Sequence, residues 1–147
     1  MGGIDEEVRE EKQKANIVKL EDVKGKRRPF HYWKVGDREL QLKLKAGMIE
    51  KVEKKYNNTN ILTLVFQDDN VPALSVMLTI IQAAAIPWTH NLDYSDVVKL
   101  YDAWTEEGGD QGTLFRTVLL PTLAVSGFFT EKQAEEILRE IDAATDL

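Results

Sequence analysis

The feature that most constrains this chain is a change of period near residue 46. Before it, 30-FHYWKVGDRELQLKLK-45 alternates, with Leu40, Leu42 and Leu44 separated by polar residues. A period of two puts alternate side chains on one side of a strand. Gly36-Asp37 is a two-residue turn signal between two such runs, so residues 29–45 predict a β-hairpin with one buried face. Phe30, Tyr32 and Lys34 share one side and His31, Trp33 and Val35 the other, and only one of these can meet a core. Pro29 suits the first position of the strand, where no amide hydrogen is needed.

After residue 46 the period becomes helical. Ile49, Val52 and Tyr56 fall at i, i+3, i+7, and the Asn57-Asn58 pair ends that helix. A short helix in NILTLVFQ follows, and the turn 68-DDNVP-72 starts a longer one whose stripe is Leu74, Met77, Leu78 and Ile81, stopping near Pro87. Asp93 is the expected N-cap of a helix with Val97, Leu100, Tyr101 and Trp104 on its apolar face, and Gly108-Gly109 supplies its C-cap. The next helix carries Leu114, Phe115, Val118 and Leu119, is expected to kink at Pro121, and closes at Gly127. Thr130 and Gln133 spell a capping box for a last helix bearing Ala134, Ile137, Leu138 and Ile141. The expectation is an α+β fold, mainly α: a hairpin (29–45) packed on a small bundle of five or six short helices (46–147), forming a single globular domain.

Residues 1–28 differ from the rest. They are charge-dense and poor in apolar residues, ending in a basic knot of Lys24, Lys26, Arg27 and Arg28, and read as a flexible charged tail. Across the chain, 25 acidic residues outweigh 19 basic ones, which argues against attraction of the whole molecule to nucleic acid or to an anionic membrane surface. The absence of cysteine removes disulfides, thiolate nucleophiles and cysteine-based zinc sites together. The N-terminus has no basic stretch followed by an apolar one, so it does not read as a secretory signal. The run 71-VPALSVMLTIIQAAAIPW-88 is too short and too polar for a membrane span and reads as a buried helix.

The chemistry-bearing residues are sparse. His31 lies in the alternating strand and His90 in a polar loop, and neither has a partner histidine at helical spacing. Asp68-Asp69-Asn70 lacks the mid-loop glycine and distal glutamate of a calcium loop. GGDQG at 108–112 lacks the lysine and preceding strand of a phosphate cradle. No catalytic, metal or cofactor site is therefore expected. The run 24-KGKRRPFHYWK-34 mixes basic residues with aromatics, a composition that suits a single-stranded nucleic-acid platform. Its four clustered cations stand against a net charge of −6.

Taken together, FHYWKVGDRELQLKL, EKVEKKY with its following NIL, PALSVML…IIQAA, DVVKLYDAWTEEGG and the closing VSGFF resemble the tail assembly chaperones of long-tailed phages and prophages. The resemblance spans about residues 28 to 130 and lies in fold patterns, with no catalytic signature. It implies a protein made in the cytoplasm of the host bacterium that holds the helical tape measure protein until the tail tube polymerises around it. It also implies absence from the mature virion, self-association, and a passing relation to the tail tube protein. A long charged tail before residue 28 departs from that pattern. On this reading Trp88, Phe128, Phe129, Ile137 and Ile141 are candidate partner-binding residues, since an apolar groove would receive a client helix. The blander reading of Phe128 and Phe129 is that they plug the end of the core. Other readings are a head-tail connector or tail completion protein, and a small nucleic-acid-binding regulator using residues 24–34.

Overall fold

The computed structural model describes residues 28–67 and 70–145, the last five as backbone. Strands β1 (His31–Val35) and β2 (Arg38–Leu42) pair antiparallel, with His31 opposite Leu42, Trp33 opposite Leu40 and Val35 opposite Arg38. Gly36 turns the chain at φ +59°, a left-handed value that glycine adopts without a steric penalty. The leucine register settles which face is inward: His31, Trp33, Val35, Leu40 and Leu42 are buried, while Tyr32 and Lys34 are exposed. The strand starts two residues after Pro29, which lies in a bend before it.

Six helical rods follow among the described residues. Helix α1 (Ala46–Lys55) ends where Asn57 and Asn58 both take φ 58°, a conformation asparagine tolerates better than most residues. Helix α2 (Ile61–Val65) begins at Asn60, whose side chain accepts from the Leu62 amide at 2.8 Å. Helix α3 (Leu74–Ala85) is the centre of the fold. Its buried set is wider than the expected stripe, comprising Met77, Leu78, Ile80, Ile81 and Ala83–Ala85, whereas Leu74 is only half-buried. A helix contacted on several sides needs apolar residues around most of its circumference. The turn residues Asp68 and Asp69 lie outside the described residues.

Helix α4 (Tyr94–Glu106) starts with a capping box in which Asp96 Oδ2 accepts from the Asp93 amide at 2.9 Å. It ends in a Schellman arrangement: the Gly109 amide donates to Trp104 O (2.9 Å) and that of Gly108 to Thr105 O (3.0 Å), with Gly108 at φ +103°. The second glycine serves packing, because a Cβ at Gly109 would overlap the Trp104 indole.

The next rod is a composite: α5 (Gln111–Leu114), a π-helical turn (Phe115–Leu119) and α6 (Leu120–Val125) run on without a break. Asp110 caps it, its two carboxylate oxygens accepting from the Thr113 amide (2.8 Å) and hydroxyl (3.0 Å). The Thr113 amide, then its hydroxyl, hold the Asp110 carboxyl below the usual carboxylate range. Where the sequence predicts a kink at Pro121, the rod has a π turn just before it. In α-helical register the Thr117 carbonyl would accept from residue 121, and proline has no such hydrogen. His31 Nε2 instead reaches that carbonyl at 2.7 Å from the hairpin, so this ring nitrogen carries the donated hydrogen.

Two further bonds fasten the chain beyond β2. The Lys43 amide donates to Ala84 O (3.1 Å), an end-of-helix carbonyl of α3. The Leu44 amide donates to Ser126 Oγ (2.9 Å), and Ser126 Oγ donates in turn to Thr122 O (2.6 Å). Helix α7 (Glu131–Thr145) is entered through the expected box, Thr130 amide to Gln133 Oε1 (3.0 Å) and Gln133 amide to Thr130 Oγ1 (3.2 Å). It packs on α6 through a small cluster of Ala124, Val125, Ala134 and Leu138. No helix among the described residues is long and apolar enough to cross a membrane.

Candidate functional site

Trp88 follows the end of α3 and is half-buried. Its indole meets Phe30 edge-on at 4.9 Å, lies under the Lys45 ammonium (5.4 Å) and donates to Lys43 O at 3.4 Å. Lys43 in turn covers Phe30 at 5.6 Å. The open end of the hairpin is thus a small assembly of aromatic rings under cations. Segment 43–45 joins this end to the Ser126 corner through the Leu44–Ser126 bond, so Trp88 and the Gly-Phe-Phe turn flank the same few residues.

At that corner Gly127 takes φ +89° and the Phe128 amide returns to Leu123 O at 3.3 Å, the hydrogen bond of a helix C-terminus. Phe128 and Phe129 are both half-buried against the main core, and Phe129 also touches the α6–α7 cluster. Ile137 packs on that cluster as well. The side chain of Ile141 lies outside the described residues, as do Lys24, Lys26 and Arg27; Arg28 is half-buried. The aromatics at 128 and 129 therefore seal a seam between rods while keeping part of their surface in water.

A shallow, partly apolar groove lies elsewhere, between α1 and α3. Met48, Lys51, Val52 and Lys55, at i, i+3, i+4, i+7 on α1, face Thr79, Gln82, Ala83 and Ile86 of α3 across a groove. The groove continues past Tyr56 and Ser75 to Tyr94. Its floor is Val52 and Ala83, both buried; its ends carry Ile86 and Tyr94, which are 38% and 39% exposed. Lys51 and Lys55 line it, and among the described residues no carboxylate does. The groove thus has an apolar floor and lysines along its wall.

Sequence reasoning named Trp88, Phe128, Phe129, Ile137 and Ile141 as partner-binding candidates and did not single out this groove. Polar Thr79 and Gln82 within the most apolar helix were the available signal, since a residue facing the core is seldom either. The reading of α1 named Ile49, Val52 and Tyr56, of which Val52 and Tyr56 line the groove, and passed over Met48, Lys51 and Lys55.

The ionisable residues assemble into little else. Among the described residues no group of three or more histidines, aspartates and glutamates is placed to hold a metal ion. His31 is bound to the rod carbonyl, and His90 is exposed in the loop after α3. The Trp33 and Trp104 indole N–H groups are buried without an acceptor, their rings edge-on at 6.1 Å, and neither lines the groove.

No protein-family profile, curated protein or solved structure matches this chain.

Proposed function

We propose that this protein is a tail assembly chaperone: it binds apolar helical stripes of a phage tape measure protein and keeps that protein soluble until the tail tube forms around it. The observation that carries the reading is the α1–α3 groove, open along its length, apolar at its floor and walled by Lys51 and Lys55. A groove with a Met48, Val52 and Ala83 surface offers contact without demanding one sequence, because methionine adapts to differently shaped side chains. A long helical client would be held by many copies, each weakly, so avidity sets the overall affinity. Trp88, Phe128 and Phe129, with part of their surface in water, would extend the contact around the 43–45 corner. The work would take place in the cytoplasm of the host, and the mature virion would lack the protein.

The test is co-expression of the neighbouring tape measure protein with and without this chain. A client soluble only in its company, and co-eluting with it, supports the reading. Unchanged client solubility, or recovery of this chain from purified virions, would instead favour a head-tail connector.

A second reading has one observation in its favour. Residues 24–45 hold eight basic and two acidic residues in a chain of net −6. The outer face of the hairpin presents Tyr32, 48% exposed, beside Lys34. A nucleic-acid contact there would weaken steeply as salt rises.

A further inference from the structure

We propose that the occupant of the α1–α3 groove is an amphipathic helix with carboxylates along one flank only, and that this one-sided charge sets the direction in which the helix lies. The two walls of the groove differ. On α1, Lys51 and Lys55 stand at i, i+4, about 6 Å apart along the helix axis. Lys45, whose ammonium lies 5.4 Å from the Trp88 ring, extends the row toward the Ile86 end. On α3 the lining residues are Ser75, Thr79, Gln82, Ala83 and Ile86, with no charge among them. Polar groups of that wall are bonded inside the protein: Thr79 Oγ1 donates to Ser75 O at 2.6 Å and Gln82 Nε2 to Leu92 O at 3.2 Å.

The positive wall has no counterpart in the groove itself. The chain carries 25 acidic residues against 19 basic, yet among the described residues lining the groove there are two lysines and no carboxylate. Lys55 has a local reason to be basic, since it lies in the last turn of α1 and complements the negative end of the helix dipole. Lys51 precedes that turn, so the dipole does not account for it. The floor narrows the choice of partner. A nucleic-acid backbone would engage the lysines and leave the apolar surface of Met48, Val52, Ala83 and Ile86 in water. A helix with an apolar stripe and an acidic flank engages both. From Ile86 to Ser75 the groove runs roughly 17 Å, about three turns of such a helix. Carboxylates at i, i+4 repeat the spacing of Lys51 and Lys55. With the apolar stripe on the floor, the acidic flank meets α1 in one chain direction only, because reversing a helix exchanges its left and right flanks.

The inference deepens the chaperone reading, on which the helical nature of the occupant rests, but its test needs no tape measure protein. The probes are peptides of about four turns, stapled between outward f positions, with leucine at heptad positions a and alanine at d. One carries glutamate at b and e with glutamine at c and g, a second exchanges these flanks, and a third has glutamine on both. Each is titrated into the 15N-labelled full chain. Amide signals of Lys51, Lys55, Thr79 and Gln82 are expected to shift with both glutamate peptides. The glutamine peptide should bind about tenfold more weakly, the effect of losing two exposed ion pairs. A spin label at the peptide N-terminus should broaden the Ile86 end of the groove with one glutamate peptide and the Tyr94 end with the other. Lys51→Glu/Lys55→Glu should bind the glutamate peptides poorly and regain affinity for versions carrying lysine in place of glutamate, which separates lost charge from a lost fold. Equal binding of glutamate and glutamine peptides, a label that stays at one end after the flanks are exchanged, or shifts confined to residues outside the groove would overturn the proposal. So would groove shifts produced by a single-stranded oligonucleotide and by none of the peptides. Peptide binding as expected beside a tape measure protein that stays insoluble would sink the chaperone reading alone. A client retained through the groove without discrimination among the peptides would sink this inference alone.

Discussion

The seam between the hairpin and the composite rod differs from the groove between α1 and α3 in how completely the chain satisfies itself. At the seam His31 supplies the hydrogen that Pro121 lacks, and Ser126 Oγ accepts from the Leu44 amide while donating to Thr122 O; Trp33, 2% exposed, packs there with its indole N–H as the exception that finds no acceptor. In the groove two helices only 10 and 12 residues long approach without filling the space between them. Val52 and Ala83 are buried beneath it while Ile86 and Tyr94 remain open at its ends. A buried polar group left unpaired costs about 1–3 kcal/mol, so a seam holding several cannot be loose. A groove with water over a few methyl groups carries no comparable penalty, and it is the place where a partner can gain. Stability should therefore reside at the seam and recognition in the groove, and substitutions should separate the two.

The largest effect is expected from Trp33→Ala, which removes the indole between the hairpin and Trp104. Denaturant unfolding should show a loss of about 3–5 kcal/mol, the range for truncating a buried aromatic. His31→Ala should cost about 1–3 kcal/mol by stranding the Thr117 carbonyl. Pro121→Ala restores an amide hydrogen in α-helical register with that carbonyl, so the double variant should lose less than the two single losses combined. Strict additivity in that cycle would show that the histidine and the proline are unrelated, and would dissolve the seam as a unit. At the groove, Lys51→Glu/Lys55→Glu should change stability by no more than about 0.5 kcal/mol, as exposed substitutions do, while client retention falls at least about tenfold, the equivalent of roughly 1.4 kcal/mol. The smallest effect concerns acid. The folded-state pKa of Asp110 is depressed, so its stabilising contribution is present above the ordinary carboxylate pKa and is lost as pH falls through the folded value. Asp110→Asn should flatten the acid limb of a plot of unfolding midpoint against pH.

Much of the local structure could be read from the sequence because it depends on near neighbours. The Gly36-Asp37 turn, the stop at Asn57-Asn58, the Gly108 cap and the Thr130/Gln133 box each rest on residues within a few positions of one another. The leucine register even determines which hairpin face turns inward once both strands are paired. The partnership of His31 with the carbonyl four residues before Pro121 spans 86 positions, and nothing local announces it. Pro121 announces only that a donor is missing, and the answer could have been a kink, a water or a side chain. The groove was illegible for a related reason. Met48, Val52 and Ala83 carry the apolar signature of any core helix, and a gap between two helices depends on how the remaining rods hold them apart. Ile137, by contrast, was placed correctly on the apolar stripe of its helix, but that stripe packs against α6.

The central claim is that the α1–α3 groove receives an apolar helical stripe of the tape measure protein. The most direct measurement is co-purification of that client with wild type, with Thr79→Arg, which sets a long cation in the groove, and with Tyr32→Ser on the outer hairpin face as a control. The account predicts that Thr79→Arg loses the client while remaining folded by circular dichroism, and that Tyr32→Ser retains it. Equal retention by Thr79→Arg and wild type, or loss confined to Tyr32→Ser, would contradict it.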